Sequence, residues 1–243
     1  MANTNIKQII KQEYIKCAKD PVYFMKKYCF IQHPTRGRIQ FNLFPFQEKV
    51  LTLLNKNDRN IILKSRQLGI STLSAGISLW MMVFQKDKNV LVVATKQDTA
   101  KNLVTKVKYM YDNLPSWLQI GFVEKNKLAL RLKNGSQIKA VSAASDAGRS
   151  EAISLLIIDE AAFIEENRIE DIWASSQQTL STGGRAIVLS TPNGTGNFFH
   201  RMWVKAQENQ NGFLPIKLPW TVHPERNQQW RDQQDAELGG RMA

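Results

Sequence analysis

The chain has 243 residues, with 33 Lys and Arg against 21 Asp and Glu and a formal net charge of +12. This length allows one large domain or two small ones, and an apolar fraction of 43% with 22% charged residues excludes a mainly disordered chain. Residues 77–84 form the longest apolar run, which is far shorter than the ~20 residues needed to cross a bilayer. With no secretory leader and only two cysteines, Cys17 and Cys29, the sequence predicts a soluble intracellular protein without disulfides.

Basic charge is concentrated in the first part of the chain. Residues 1–140 carry 24 Lys and Arg against 8 Asp and Glu, whereas residues 141–243 carry 9 against 13. A basic half of this kind indicates a polyanionic partner, and nucleic acid is the first candidate because neutralising its phosphates releases counterions. A solvated basic surface without a partner explains the same charge, so composition leaves both interpretations open.

The hydrophobic pattern predicts a helix over residues 6–18, then an apolar stretch at 23–31 and a basic turn at 33–38. Strands and helices alternate after that point. The predicted strands are 60–63, 89–95, 155–158 and 186–190, and the predicted helices are 71–85, 97–114 and 168–180. Continuous apolar strands separated by helices indicate an α/β fold, in which a mostly parallel sheet is flanked by helices.

One antiparallel excursion interrupts this alternation. Asn134-Gly135 separates two runs of alternating apolar and polar residues, which predicts a β-hairpin. Beyond residue 196 the chain is aromatic and amide-rich, and we expect this part to pack with the N-terminal helices as a small lid. The predicted division is therefore an N-terminal helical segment (1–40), a core (41–196) and a lid or linker (197–243).

The segment 63–72, between a predicted strand and a predicted helix, matches part of the phosphate-binding pattern G-x-x-x-x-G-K-[ST]. Gly69 and Ser71 are in register, whereas Lys64 stands at the first glycine and Ile70 at the lysine. Backbone N–H groups at a helix N-terminus attract phosphate, and Lys64 adds a cation to the same turn. An ordinary strand–helix turn closed by a glycine explains the segment equally well.

Two adjacent carboxylates, Asp159 and Glu160, follow the apolar strand 155–158. Ligands bind at the carboxyl ends of parallel strands, so the pair predicts a catalytic site. In that site Asp159 would hold Mg²⁺ and Glu160 would act as general base towards the attacking water. Capping of a helix N-terminus is the alternative, but the phosphate-loop candidate upstream favours catalysis.

Two shorter motifs agree with a nucleotide site. Ser190-Thr191-Pro192-Asn193-Gly194 follows the next strand, and hydroxyls there can contact a γ-phosphate or its attacking water and register the loss of phosphate. Phe46-Gln47 precedes the first predicted strand of the core, and an amide beside an aromatic ring can recognise adenine and stack on it. Taken alone, the first motif is also explained as a strand-terminating turn and the second as part of a core helix.

In this order and spacing, the motifs Phe46-Gln47, 65–69, 157–163 and 190–194 resemble the ATPase domain of the large terminase subunit of tailed bacteriophages. That subunit is the motor that packages DNA into procapsids. The resemblance covers about residues 41–203. It implies a P-loop NTPase core of the RecA-like (ASCE) type, with ATP as substrate and Mg²⁺ as cofactor.

The resemblance also implies a role for each motif residue. The residues implied to bind ATP are Phe46, Gln47, Ser65, Gln67, Leu68, Gly69, Ile70, Ser71 and Thr72. The implied catalytic residues are Glu160, Lys64 and Arg66, with Arg66 as the loop arginine that senses the γ-phosphate. The implied metal ligands are Ser71 and Asp159, and the implied coupling residues are Ser190, Thr191 and Pro192. Arg149 is a candidate for a further arginine that acts in trans or as a sensor.

This sequence departs from the family pattern at two places. Ile70 stands where many members have the phosphate-loop lysine, and we expect Lys64 to replace it because other terminases place the lysine at the start of the loop. Large terminase subunits also carry a C-terminal nuclease domain, for which too few residues follow the coupling motif. We therefore expect the motor half alone, without nuclease activity.

The resemblance implies double-stranded DNA, the portal protein and the small terminase subunit as partners, with protomers assembled as a ring at the procapsid in the host cytoplasm. The lysines expected to contact DNA phosphates are Lys101, Lys106, Lys108, Lys125, Lys127 and Lys133. Two alternatives stay open. One is a helicase-like or restriction-type DNA translocase, and the other is a catalytically weak nucleotide- or DNA-binding module, which Ile70 favours.

Overall fold

The structure, a computed structural model, describes residues 2–143, 152–180 and 183–238. The helices are α1 (Ala2–Lys19), α2 (Pro21–Tyr28), α3 (Pro45–Lys56), α4 (Ile70–Phe84), α5 (Gln97–Asp112), α6 (Glu166–Leu180), α7 (Phe198–Gln207) and α8 (Gln228–Leu238). The strands are β1 (Phe30–His33), β2 (Gly37–Gln40), β3 (Arg59–Lys64), β4 (Asn89–Ala94), β5 (Phe122–Lys125), β6 (Ala129–Leu132), β7 (Gln137–Ser142), β8 (Leu155–Asp159), β9 (Arg185–Ser190) and β10 (Leu214–Leu218). The predicted alternation of strands and helices is confirmed.

One sheet of eight strands forms the centre of the molecule, in the order β10-β3-β9-β8-β4-β7-β6-β5. All neighbours from β10 to β7 are parallel, and the antiparallel pairs β7–β6 and β6–β5 form the excursion around Asn134-Gly135. The mostly parallel α/β sheet and the hairpin are thus both confirmed. Because β3, β9, β8 and β4 run in the same direction, their carboxyl ends open on one edge of the sheet.

The burial of strand β8 shows that both faces of the sheet are covered. Each of its five residues is buried, as expected for a parallel strand between two layers of helices. Leu155 and Ile157 pack in the core with α4 and α5, whereas Leu156 and Ile158 pack in the core with α6 and α7. Each such side chain contributes about 1.5–3 kcal/mol when fully buried.

Helices cover both faces of the sheet. Helix α4 carries the longest apolar run, and almost all of its residues are buried in the core beside β3 and β8. Among the described residues, no helix combines the length and apolar character needed to cross a bilayer.

The structure differs from the predicted lid. Strand β10, inside the segment expected to form it, pairs in parallel with β3 and extends the main sheet beyond residue 196. Helix α7 packs in the core with α6, whereas α2 packs with α4 on the other face of the sheet, where Ile216 and Leu218 of β10 join the same core. Leu214, Ile216 and Leu218 alternate with a proline and a lysine, which suits an edge strand.

Candidate active site

The loop between β3 and α4 is shaped by two residues in the left-handed backbone conformation. Gln67 has φ of 58°, and Gly69, which precedes α4, has φ of 73°. The side chain of Ile70, which stands at the position of the pattern's lysine, is 1% exposed and lies in the core. The loop begins where the N–H of Ser65 donates to the carbonyl of Leu218, so β10 fixes its first residue.

The backbone N–H groups of residues 66–72 donate to no acceptor within the part of the chain that the structure describes. The carbonyl of Leu68, by contrast, accepts a hydrogen bond of 2.9 Å from Nε2 of Gln47. In a trans peptide the N–H points away from the carbonyl, so the N–H of Gly69 faces away from Gln47. Free N–H groups that follow one another at a helix N-terminus form an anion-binding concavity.

Both ends of the Gln47 amide are hydrogen-bonded to backbone groups of the protein. Its Oε1 accepts from the N–H of Phe44 at 3.0 Å, and its side chain is buried at the start of α3. Phe46 is partly buried, and its ring stacks on Phe44 with centroids 5.9 Å apart. The contact of Phe46 and Gln47 with adenine therefore stays a prediction, and the structure instead shows Gln47 holding the loop.

Lys64 and Glu160 form an ion pair across the site. Nζ of Lys64, a residue that is 7% exposed, donates to Oε1 of Glu160 at 2.8 Å. The other carboxylate oxygen of Glu160 accepts from the N–H of Thr191 at 3.3 Å and from its hydroxyl at 3.2 Å. Glu160 itself has φ of 52°, directly after β8. The ends of β3, β8 and β9 are thus joined through one carboxylate.

Asp159 is buried beside this pair and contacts the start of α4. Its Oδ2 accepts from the hydroxyl of Ser71 at 2.9 Å, and its Oδ1 accepts from the N–H of Glu160 at 2.9 Å. Burial raises the pKa of Asp159, while the Ser71 hydrogen bond and the charge of Lys64 act in the opposite direction. The two predicted metal ligands therefore lie side by side.

The motif 190–194, which begins at the last residue of β9, is hydrogen-bonded to the turn that follows Glu160. Oγ of Ser190 accepts from the N–H of Ala162 at 3.1 Å, and Nδ2 of Asn193 donates to the carbonyl of Ala162 at 2.9 Å. Pro192 is exposed. The segment predicted to couple hydrolysis to movement is therefore linked to the predicted general base by hydrogen bonds.

A cleft of about 460 Å³ opens in front of these groups. It is lined by Lys64, Arg66, Gln67, Thr95, Thr99, Glu160, Phe163 and Thr191. Arg66 is exposed, and its contact with a phosphate stays a prediction. Thr95 and Thr99 were not predicted from the sequence, although the position of Thr95 directly after a buried strand is a signal that could have found it. Phe163 ends the motif 157–163 but was given no role.

Several residues that were predicted to contact ATP or DNA do not line this cleft. Thr72 and Lys106 line a separate cavity of about 370 Å³ between α4, α5 and the β1–β2 hairpin. Lys106 was expected at a DNA surface but is partly buried near Asp159, and burial lowers its pKa. Lys125 pairs with Asp112 at 2.5 Å. Arg149 lies outside the described residues.

The remaining predicted DNA-binding lysines differ in their surroundings. Lys127 and Lys133 are exposed, whereas Lys101 and Lys108 are partly buried. Burial also lowers the pKa of Lys108. Their contact with DNA stays a prediction.

Comparisons with known proteins give a family for the chain and relatives for its fold. Over residues 61–238 the chain matches a family model described as terminase large subunit, T4-like virus type, N-terminal. The large terminase of bacteriophage HK97 has a TM-score of 0.68 at 16% identity over 90% of this chain and 47% of that chain. The chain therefore spans about half the length of that relative.

Two further structures share the fold. The ATPase domain of the Thermus phage P74-26 large terminase has a TM-score of 0.64 at 20% identity, over 79% of this chain and 90% of that domain. The large terminase of a thermophilic bacteriophage, in complex with ATP-γ-S, has a TM-score of 0.60 at 15% identity, over 79% of this chain and 48% of that chain. With the family model matching well over half of its residues, the chain belongs to the family of large terminase subunits of the T4-like type and corresponds to the N-terminal part of that subunit.

Proposed function

We propose that this chain is the ATPase of a viral DNA-packaging motor, and that Mg²⁺-dependent hydrolysis of ATP powers the translocation of double-stranded DNA into a procapsid. The observation that carries the proposal is the contact of Lys64 with Glu160 at 2.8 Å, beside a loop with free N–H groups. A cation, a carboxylate base and an anion-binding backbone in one cleft are the groups that phosphoryl transfer requires.

Lys64 takes the place of the loop lysine in this proposal. It stands at the end of β3, on the Glu160 side of the loop, and its side chain is enclosed by protein. A bound triphosphate competes with Glu160 for the ammonium group, because both are anionic. Binding of ATP therefore frees a carboxylate oxygen of Glu160, which can then orient the attacking water.

Ser71 and Asp159 fit a magnesium ion. Mg²⁺ is usually held by one or two protein oxygens together with substrate phosphates, and these two side chains supply such a pair 2.9 Å apart. The ion, when bound, neutralises charge on the phosphate oxygens. Asp159 would be held as an acceptor by the N–H of Glu160, and Ser71 would turn its hydroxyl from Asp159 towards the ion.

In this proposal, the contacts of Thr191 with Glu160 couple hydrolysis to a movement of the segment after β9. Its N–H and hydroxyl both donate to Glu160, so any displacement of Glu160 during the cycle is passed to the segment after β9. The adjacent contacts of Ser190 and Asn193 with Ala162 transmit the same displacement. The segment leads directly into α7, which packs on β3 and β10.

The basic half of the chain would contact DNA phosphates without reading base sequence. The portal protein, the small terminase subunit and a ring of protomers in the host cytoplasm are part of the proposal, and they rest on family membership. A ring would also allow Arg149 or another arginine to reach a neighbouring nucleotide.

A turnover assay tests this function. Phosphate release by the wild-type chain is measured with and without Mg²⁺ and double-stranded DNA, beside Glu160→Gln and the control Glu165→Gln. Glu165 is 70% exposed and pairs with Arg168, so its loss leaves the cleft intact. We expect Glu160→Gln to lose at least about a hundredfold in rate, because it removes the general base. Wild-type turnover in that variant would refute the proposal.

A further inference from the structure

Arg226 lies between β10 and α8, far along the chain from the loop that follows β3. Its Nη1 donates to the carbonyl of Arg66 at 3.0 Å, and its Nη2 donates to the carbonyl of Gln67 at 3.3 Å. The guanidinium group is half-buried, and its centre lies 4.5 Å from the ring centroid of Trp230 in α8. One planar cation therefore holds two consecutive peptide groups of the loop.

The direction of these contacts matters for what the loop can bind. In a trans peptide the carbonyl of one residue and the N–H of the next point in opposite directions, and no cis peptide occurs among the described residues. With the carbonyls of Arg66 and Gln67 held by Arg226, the N–H groups of Gln67 and Leu68 face the opposite side. Gln47 extends this pattern, since it holds the carbonyl of Leu68 and so directs the N–H of Gly69.

The contact also changes the strength of those N–H groups as donors. A hydrogen bond to a carbonyl polarises the whole peptide group, so a cation on the oxygen makes the N–H on the other side a better donor. Charge-assisted hydrogen bonds are the stronger kind, and the fork of a guanidinium can serve two acceptors at once.

The segment that carries Arg226 is itself docked against the start of α3. The ring of His223 lies 4.6 Å from that of Phe44, which stacks on Phe46. Trp220 and Trp230 lie 5.9 Å apart between centroids. These contacts place Arg226 independently of the loop, as a positioning group requires.

We infer that Arg226 is a positioning residue of the nucleotide site, which holds the loop backbone so that consecutive N–H groups face the phosphates. The inference rests on the proposed function, and it assigns the segment between β10 and α8 to the nucleotide site. Removal of Arg226 should weaken nucleotide binding far more than it slows the chemical step, since Arg226 contacts neither Glu160 nor Lys64 within the described residues.

ADP titration and ATP steady-state kinetics test the inference on the whole chain. In Arg226→Ala we expect the Kd for ADP and the KM for ATP to rise about tenfold, with kcat changed less than about threefold. Arg226→Lys should be intermediate, because an ammonium group lacks the fork. The control is Arg231→Ala, which removes a cation that pairs with Asp235 and lies 6.0 Å from the Trp220 ring but does not contact the loop.

The ADP affinity and the kcat of these variants decide whether Arg226 positions the loop. A folded Arg226→Ala chain that binds ADP within about twofold of wild type overturns the inference while leaving the proposed function in place. If the alanine variant does not fold, Arg226→Gln is judged by the same criterion. An equal loss of kcat in Arg226→Ala and in the control would show a structural role only and overturn the inference. A wild-type chain that binds no ADP overturns the proposed function itself.

Discussion

The ammonium group of Lys64 lies 2.8 Å from a carboxylate oxygen of Glu160, although 96 positions separate the two residues in the chain. The pair joins the end of β3 to the end of β8, which are separated in the sheet by β9. Because Glu160 also accepts two hydrogen bonds from Thr191, the three strand ends meet at one carboxylate. This contact supports the replacement of the loop lysine by Lys64.

Lys64→Ala should abolish ATP turnover, with a loss of at least about a hundredfold, because no other buried cation faces Glu160 among the described residues. Lys64→Arg should keep part of the nucleotide binding, since the charge is retained. Phosphate release and ADP titration measure the two effects. Lys56→Ala, an exposed lysine of α3, is the control, and full turnover in Lys64→Ala would contradict the assignment.

Ser71→Ala should raise the Mg²⁺ concentration needed for half-maximal turnover by about tenfold, because it removes one oxygen beside Asp159. The measurement is ATP turnover as a function of Mg²⁺ concentration. Ser74→Ala is a matched control one turn further along α4, since that hydroxyl is buried and has no hydrogen-bond partner among the described residues. Equal Mg²⁺ dependence in both variants would remove Ser71 from the proposed metal site.

Thr191→Val should lower kcat by about tenfold and leave the KM for ATP nearly unchanged. The variant keeps the shape of the side chain but loses the hydroxyl that donates to Glu160 at 3.2 Å. Steady-state kinetics separate the two parameters, with the exposed Thr195→Val as control. A raised KM with unchanged kcat would indicate that Thr191 serves binding instead.

Glu13→Gln should make the stability of the N-terminal helices less dependent on pH. Oε1 of Glu13 accepts from Lys27 at 2.6 Å, from Tyr28 at 2.7 Å and from the hydroxyl of Tyr23. These hydrogen bonds, led by that of Lys27, lower the pKa of Glu13 from its ordinary value of 4.5 to about 2. The carboxylate therefore stabilises the fold above pH ~4.5, and this contribution is lost as the pH falls towards ~2.

Denaturant unfolding of wild type and Glu13→Gln across this pH range measures the effect. We expect the variant to be less stable by about 1 kcal/mol at pH 7, since the group is close to solvent, and the difference to vanish near pH 2. Glu208→Gln, an exposed residue after α7, should show no such convergence. A constant difference between wild type and Glu13→Gln at all pH values would contradict the role of its charge.

The sequence by itself determined the order and type of most elements, and it suggested the residues that are proposed for the site. Apolar runs such as 155–158 predict buried parallel strands because both faces of each strand must be covered, and Asn134-Gly135 predicts the hairpin because both residues tolerate the turn geometry. These signals are local, so they do not depend on how distant parts of the chain fold. Strand β5 lacked such a signal because all four of its residues are exposed at the sheet edge.

Only the tertiary structure decided which groups meet. That β10 lies beside β3, that Lys64 faces Glu160, and that Arg226 reaches the loop all depend on pairings between distant parts of the chain. Local periodicity cannot predict such pairings, because it records which face of an element is buried and not what covers that face. Gln47 is a further example: its residue type suggested adenine, which stays a prediction, and only the fold places its amide on the carbonyl of Leu68.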